Sequence, residues 1–188
     1  MVDLDLEELA DCDVLLIDGR SGSGKTHLAE RMVQTFAALL RPAQVLHVEA
    51  LYPGWDGLAA GSLALAAALR TSSYRAYDWI AAAFGARERI EPRVPLVIEG
   101  CGAITAENLA AAENWAAAAG AALPQVRSVW LEVEAVTRKR RALARDGEVY
   151  APHWDRWAAQ EEELYAWHRP WELADRTIAI SACDDPIG

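Results

Sequence analysis

The fold is decided by the stretch VLLIDGRSGSGKT, residues 14–26, in which an apolar run opens directly into a glycine-rich turn. Glycines let a backbone turn tightly at dihedral angles that other residues resist, so that successive N–H groups point inward at an anion. The spacing Gly19-x4-Gly24-Lys25-Thr26 fits the phosphate-loop pattern completely, with Lys25 placed for the β- and γ-phosphates and Thr26 for Mg²⁺. The stretch therefore predicts a site for a nucleoside triphosphate and Mg²⁺.

The residues on either side of this turn support the same interpretation. Residues 14–17 are continuously apolar, as in a buried parallel strand, and residues 26–40 carry apolar side chains at helical spacing. Strand, loop and helix thus follow in the order that a phosphate-binding loop requires. The residues that we expect to contact the nucleotide are Gly19, Ser21, Gly22, Ser23, Gly24, Lys25, Thr26 and His27.

Length, charge and cysteine content restrict the class of protein. The 188 residues suit a single domain, 1–188. A formal net charge of −10 and a pI near 4.8 argue against nucleic acid or an anionic membrane as a partner. The three cysteines, Cys12, Cys101 and Cys183, fit neither a disulfide framework nor a metal-ligand spacing, which indicates a reducing compartment.

No apolar run approaches membrane-spanning length, and residues 1–13 carry six acidic residues and no basic one, unlike a secretory signal or a transit peptide. We therefore expect a cytoplasmic protein, either a monomer or a homodimer.

Strand-like and helix-like segments alternate along the chain, which predicts an α/β fold with a five-stranded parallel sheet covered by helices on both faces. Two segments exceed ordinary connections: a small helical insertion over 50–93 and a basic lid region over 137–168. The predicted strands are 14–17, 44–48, 95–100, 126–133 and 177–180, and the predicted later helices are 58–69, 74–84, 106–119, 137–145 and 154–167. A short leading helix is expected around Leu4, Leu6 and Leu9.

Two acidic residues follow predicted strands. Glu49 ends the second strand and Glu99 ends the third. Ligands of parallel sheets bind outside the carboxyl ends of the strands, so the phosphate loop, Glu49 and Glu99 are expected to share one pocket.

Residues 17–26 resemble the start of the uridine kinase-like branch of the P-loop nucleoside and nucleotide kinases, and later stretches agree in the same order over about residues 14–180. Residues 51–58 also look like a smaller bacterial subgroup of ATP-binding proteins. The matching later stretches are Glu49-Ala50-Leu51-Tyr52, Tyr77-Asp78-Trp79, Val97-Ile98-Glu99-Gly100 and the arginine-rich run from Arg138 to Asp146. The resemblance implies a three-layer P-loop fold and a kinase that transfers the γ-phosphate of ATP to a hydroxyl of a small molecule, and it favours a nucleoside-like acceptor. In that family an Asp usually stands at the position of Glu49, and the longer Glu changes where the acceptor hydroxyl must sit.

Phosphoryl transfer requires cations around the γ-phosphate. Arg138, Arg141 and Arg145 are spaced i, i+3 and i+7, on one face of a helix that could close over the triphosphate. We expect Arg141 and Arg145 to act on the transferred group with Lys25, and Arg138 to bind the nucleotide. The alternative is a solvated basic face.

The acidic residues have alternative interpretations too. Glu49 is a candidate catalytic base and substrate contact, or a surface carboxylate. Glu99 is a candidate for holding Mg²⁺ with Thr26 and for contacting the substrate, or a structural acid. The candidate acceptor contacts in the insertion are Tyr52, Trp55, Arg75 and Asp78, or else these residues form its small core.

Histidines and tryptophans outside these motifs are interpreted as packing residues. His47 is expected to be a core histidine, and His153, Trp154, Trp157 and Glu161 are expected to pack the lid helices on the sheet. Two other functions stay open: a kinase for a sugar, sugar acid or cofactor precursor, and a nucleotide-binding regulatory ATPase without an acceptor. A degenerate kinase that binds nucleotide without turnover is a third.

Overall fold

A computed structural model describes residues 5–181, in which strands and helices alternate. Residues 1–4, which include Leu4 of the expected leading helix, and Cys183 lie outside the described part. The strands are β1 (Val14–Gly19), β2 (Gln44–His47), β3 (Ser73–Asp78), β4 (Ala83–Arg89), β5 (Leu96–Glu99), β6 (Val126–Val133) and β7 (Arg176–Ile180). The helices are α1 (Leu6–Leu9), α2 (Lys25–Ala38), α3 (Leu58–Thr71), α4 (Ala106–Ala118), α5 (Ala135–Tyr150), α6 (Trp154–His168) and α7 (Pro170–Leu173).

Five strands form one parallel sheet in the order β2-β5-β1-β6-β7, which confirms the predicted sheet. Its register aligns the carboxyl ends of the three strands next to the phosphate loop. Glu99 at the end of β5 pairs with Ile17 of β1 on one side and with His47 of β2 on the other. Whatever follows these strands therefore emerges at one edge of the sheet.

The two faces of the sheet build two separate cores, because side chains alternate along a strand. Val14 and Leu16 of β1 belong to a core that also contains side chains of α3, α4 and α6. Leu15 and Ile17 belong to a second core with α1 and α2. Helices therefore cover both faces, and the three-layer arrangement is confirmed.

The prediction of a helix over 74–84 is wrong. These residues form part of an antiparallel hairpin of β3 and β4. Tyr74 and Tyr77 are three residues apart in the sequence, a spacing that mimics one face of a helix, and a bulge between Arg75 and Tyr77 interrupts the regular pairing of the hairpin. The insertion over 50–93 thus consists of one helix, α3, and one hairpin.

The lid region begins in α5, which is longer than predicted. Gly147 interrupts the helix with φ 54° and ψ −135°, and α6 follows after a short 3-10 turn. Across residues 5–181, no helix has the length and apolar character needed to cross a membrane. Cys12 and Cys101 are both buried free thiols.

Candidate active site

The loop between β1 and α2 has the geometry of an anion cradle. Gly22 and Gly24 adopt φ values of +80° and +94°, which disfavour residues with a Cβ. The ammonium group of Lys25 donates to the carbonyl oxygens of Gly19 at 2.8 Å and Arg20 at 3.3 Å. Gly24 caps α2 without a side-chain hydrogen bond, so the first N–H groups of the helix are left to bind an anion.

Asp18 is fully buried, and its carboxylate anchors this loop through hydrogen bonds. Its Oδ1 accepts from the N–H groups of Gly19 at 2.7 Å and Gly102 at 3.1 Å and from the Tyr165 hydroxyl at 2.8 Å. Its Oδ2 accepts from the N–H of Ile104 at 2.8 Å. Burial raises the pKa of Asp18 to about 6, although these hydrogen bonds oppose the shift.

A cavity of about 710 Å³ opens beside the loop, at the carboxyl ends of the strands. The phosphate loop, the ends of β2 and β5, and the lid region all contribute to its wall. The lining residues are Ser21, Gly22, Gly24, Lys25, Thr26, His47, Glu49, Tyr52, Trp55, Trp79, Glu99, Gly100, Cys101, Arg145, Val149, Tyr150 and Trp157.

Glu99 lies between a hydroxyl and an imidazole in this cavity. Its Oε2 accepts from Thr26 Oγ1 at 3.3 Å, and its Oε1 lies 2.6 Å from His47 Nδ1. Burial opposes the ionisation of Glu99, but the His47 hydrogen bond and the charge of Lys25 hold the pKa of Glu99 below its ordinary value. The same hydrogen bond raises the pKa of His47. The expectation that His47 is a core residue is wrong, since its side chain is 54% exposed in the cavity wall.

The oxygens of Thr26 and Glu99 fit a magnesium ion, which prefers hard oxygen ligands. Among residues 5–181, no three His, Cys, Asp or Glu side chains form a group that could hold a metal ion. A magnesium ion at Thr26 would therefore take further ligands from water and the phosphates of a nucleotide.

The charge of Lys25 is balanced by its surroundings. Burial alone would lower the pKa of Lys25, but the carboxyl groups near it, Glu99, Glu161 and Asp18, raise that pKa above its ordinary value. Burial raises the pKa of the Cys101 thiol to about 12. Lys25 is thus a permanent cation at the loop, while Cys101 stays protonated at neutral pH.

Glu49 shares the cavity with Lys25. It lies in the 3-10 turn Val48–Leu51, directly after β2, and is exposed to solvent. A carboxylate at this position can reach a small molecule that enters from the open side of the cavity.

The three predicted lid arginines occupy different environments. Arg138 is 9% exposed, and its guanidinium donates to the carbonyl oxygens of Val133 at 3.1 Å and Ser21 at 3.2 Å. Arg141 is also buried, at 8% exposed, and does not line the cavity, whereas Arg145 does. The helix face that carries them therefore begins against the phosphate loop and ends at the cavity.

Aromatic side chains form much of the remaining wall. Trp55 stacks on His153 with ring centroids 4.2 Å apart and on Tyr150 at 5.4 Å. The Tyr52 hydroxyl donates to the carbonyl oxygen of Cys101 at 2.7 Å, which fixes the Tyr52 ring. We call the lining aromatics the aromatic wall: Tyr52, Trp55, Trp79, Tyr150 and Trp157.

The loop that carries Trp55 is attached to α6. Gln160 Nε2 donates to the carbonyl oxygen of Trp55 at 2.8 Å, and Arg156 forms an ion pair with Asp56. The insertion and the lid region are therefore linked by hydrogen bonds beside the cavity.

Other predicted site residues lie outside this cavity. The Arg75 guanidinium donates to the carbonyl oxygens of Gly85 and Phe84 across the hairpin, and Asp78 Oδ1 accepts from the N–H groups of residues 80 and 81 in its turn. His27 is exposed on α2. These hydrogen bonds give Arg75 and Asp78 a structural place in the hairpin. Gly19, Ser23 and His27 likewise are not lining residues.

Three residues at this site were missed by sequence reasoning: Asp18, His47 and Glu161. The signal for His47 was present, because it and Glu99 end neighbouring parallel strands. Asp18 lies within residues 14–26, but its role depends on the N–H groups of Gly102 and Ile104, far along the chain.

No protein-family model matches this chain, and no curated protein matches it. Solved structures do. One is a possible uridine kinase from Bacillus stearothermophilus, with 17% identity and a TM-score of 0.55 over 92% of this chain and 96% of that chain. Another is a putative fructose transport system kinase from Silicibacter sp. TM1040, with 18% identity and a TM-score of 0.55 over 93% of this chain and 99% of that chain.

The phosphate loop, the strand order and these similarities define a three-layer α/β P-loop fold. The similarity covers nearly the whole chain and concerns the fold.

Proposed function

We propose that this protein is an ATP-dependent kinase that transfers the γ-phosphate to a hydroxyl of a small, nucleoside-like molecule. The observation that carries the proposal is that Lys25 of the phosphate loop and the carboxylate Glu49 line one cavity of about 710 Å³. A donor site and a candidate base for the acceptor thus face the same space.

The donor half would consist of the phosphate loop, Lys25 and Thr26. The N–H groups of the loop and of the start of α2 would bind the phosphates of ATP, and Lys25 would neutralise charge on the β- and γ-phosphates. Thr26 and Glu99 would hold Mg²⁺, which when bound neutralises further phosphate charge.

The transfer itself would require one proton acceptor. The acceptor hydroxyl oxygen forms a bond to the γ-phosphorus, the bond from that phosphorus to the bridging oxygen of ADP breaks, and the hydroxyl proton passes to Glu49. Arg145, which lines the cavity, would stabilise the negative charge that spreads over the transferred group.

The aromatic wall supports a planar acceptor. Aromatic faces stack on planar rings, and a nucleoside offers both such a ring and hydroxyl groups. Glu49 beside this wall would then face a hydroxyl of the sugar.

The proposal is tested by measuring ADP formation from ATP with a panel of nucleosides, nucleotides, sugars, sugar acids and hydroxylated cofactor precursors. We expect nucleosides to stimulate ADP formation in the native protein and the Lys25→Ala variant to lose this activity while keeping its circular dichroism spectrum. Stimulation by sugar acids alone would contradict the nucleoside-like acceptor. ATP binding without stimulation by any acceptor would contradict the kinase, as would full phosphotransfer by Lys25→Ala.

A further inference from the structure

The carboxylate of Glu161 lies against the phosphate loop, although it belongs to α6, 140 residues further along the chain. It is 1% exposed. Its Oε1 accepts from the N–H of Ser21 at 2.7 Å and from the indole N–H of Trp157 at 3.1 Å. One buried oxygen thus contacts both the phosphate loop and a residue of the aromatic wall.

Arg138 completes a closed set of contacts around Ser21. Its Nη1 donates to the carbonyl oxygen of Ser21 at 3.2 Å and lies 3.8 Å from Oε2 of Glu161. Both polar backbone groups of Ser21 are therefore held, the N–H by a carboxylate and the C=O by a guanidinium. These two charged groups also lie within ion-pair range of each other.

The start of α5 packs closely against Gly22, the next residue of the loop. A Cβ added to Gly22 would lie 2.2 Å from the carbonyl oxygen of Arg138. Ser21 and Gly22, which line the cavity together with the residues from Gly24 to Thr26, are thus fixed from the side of α5 and α6.

A buried carboxylate beside a triphosphate site is unfavourable in two ways: it loses hydration and it repels the phosphates. Simple packing of α6 would need no charge here. A charged group that holds Ser21 instead gives the loop its shape before the nucleotide arrives, which reduces the ordering that binding requires. We propose that Glu161 is a positioning residue that preorganises the phosphate loop for the donor nucleotide through Ser21 and Arg138.

This inference rests on the nucleotide site of the proposed function but not on the acceptor. The test is therefore a binding measurement: the dissociation constant of the non-hydrolysable ATP analogue AMPPNP with Mg²⁺, by calorimetry well below the melting temperature. The variant Glu161→Gln keeps the shape of the side chain, but its amide group turns a donor toward either Arg138 or Ser21. We expect Mg·AMPPNP to bind about tenfold more weakly, as for loss of one charge-assisted hydrogen bond.

A matched control is Asp175→Asn. Asp175 directly precedes β7 and accepts from the N–H and hydroxyl of Ser128 in β6 at 2.8 and 2.9 Å, whereas the phosphate loop follows the carboxyl end of β1. The Asp175→Asn substitution should lower the melting temperature without changing the dissociation constant of Mg·AMPPNP. A lower melting temperature of Glu161→Gln with unchanged or tighter nucleotide binding would overturn the proposal, because Glu161 would then act in stability alone or repel the phosphates.

A second variant covers the case in which Glu161→Gln does not fold. Trp157→Phe removes the indole N–H from Glu161 and keeps an aromatic ring, and we expect Mg·AMPPNP to bind about threefold more weakly, because this hydrogen bond acts on the loop only through Glu161. Unchanged binding by a folded Trp157→Phe would overturn the proposal in that case. If the native protein does not bind Mg·AMPPNP, the nucleotide site and this inference both fail. If it binds but no acceptor stimulates turnover, the kinase proposal fails alone.

Discussion

Nδ1 of His47 lies 2.6 Å from Oε1 of Glu99, at the carboxyl ends of two neighbouring parallel strands. The other oxygen of Glu99 accepts from the hydroxyl of Thr26. His47 therefore fixes the orientation of a carboxylate that faces the proposed magnesium ligand. A residue that orients a ligand in this way typically affects metal affinity when it is removed.

The first prediction concerns this orientation. His47→Ala should raise the Mg²⁺ concentration for half-maximal activity about tenfold, because Glu99 loses its shortest hydrogen bond. The measurement is the rate of ADP formation against Mg²⁺ concentration at saturating ATP. His168→Ala, on α6, serves as the control and should leave the curve unchanged. An unchanged curve for His47→Ala would show that His47 does not orient Glu99 for the metal.

The second prediction concerns the base. Glu49→Gln should lower kcat by about 10²- to 10⁴-fold, as for loss of a general base, with little change in the KM for ATP. Glu49→Asp should retain part of the activity, because its carboxylate is set back by one methylene group. Steady-state rates at varied ATP and acceptor separate these effects. A kcat within threefold of the native value for Glu49→Gln would exclude Glu49 as the base.

Most of the fold could be predicted from the sequence because its signals are local. The apolar runs that end in the phosphate loop, Glu49 and Glu99 identify strands and their carboxyl ends without any knowledge of distant contacts. The hairpin could not be predicted in this way. Its bulge next to Arg75 interrupts the alternation that identifies a strand, and the three-residue spacing of Tyr74 and Tyr77 in the sequence imitates a helix.

The site residues that directly follow strands could be predicted from the sequence. Those that are brought to the site by contacts with distant parts of the chain could not. Glu161 is an ordinary helix residue by its neighbours in sequence, and only the packing of α6 on the loop brings it to Ser21. Conversely, Asp78 matches a family motif, yet its carboxylate caps its own turn. A motif states which residue types occur, whereas the direction of each side chain depends on the tertiary structure.

The third prediction follows from the burial of Asp18. Its pKa is raised from 3.8 to about 6, so the folded protein favours the protonated form more than the unfolded chain does. The contribution of Asp18 to the free energy of unfolding is therefore fully present below pH 3.8 and is lost as the pH rises through about 6. A shift of this size corresponds to about 3 kcal/mol.

The check is urea unfolding of the native protein and of Asp18→Asn from pH 4 to pH 8. The free energy of unfolding of the native protein minus that of the variant should fall with rising pH and level off above about pH 7. A difference that rises over this range would mean that the four hydrogen bonds to Asp18 outweigh its burial and hold its pKa below the ordinary value.

The last prediction concerns the contact between the loop and α5. Gly22→Ala would place a Cβ 2.2 Å from the carbonyl oxygen of Arg138, and the backbone φ of +80° is unfavourable for alanine as well. Gly120→Ala has a comparable φ of +100° but meets no atom within 4 Å, so it measures the backbone cost alone, about 1–2 kcal/mol. Gly22→Ala should cost more than this, since α5 must move away from the loop. It should also weaken Mg·AMPPNP binding at least tenfold, whereas Gly120→Ala should not change it. Equal losses of stability in the two variants, with equal nucleotide affinity, would mean that the loop tolerates the movement of α5 and that their contact does not shape the nucleotide site.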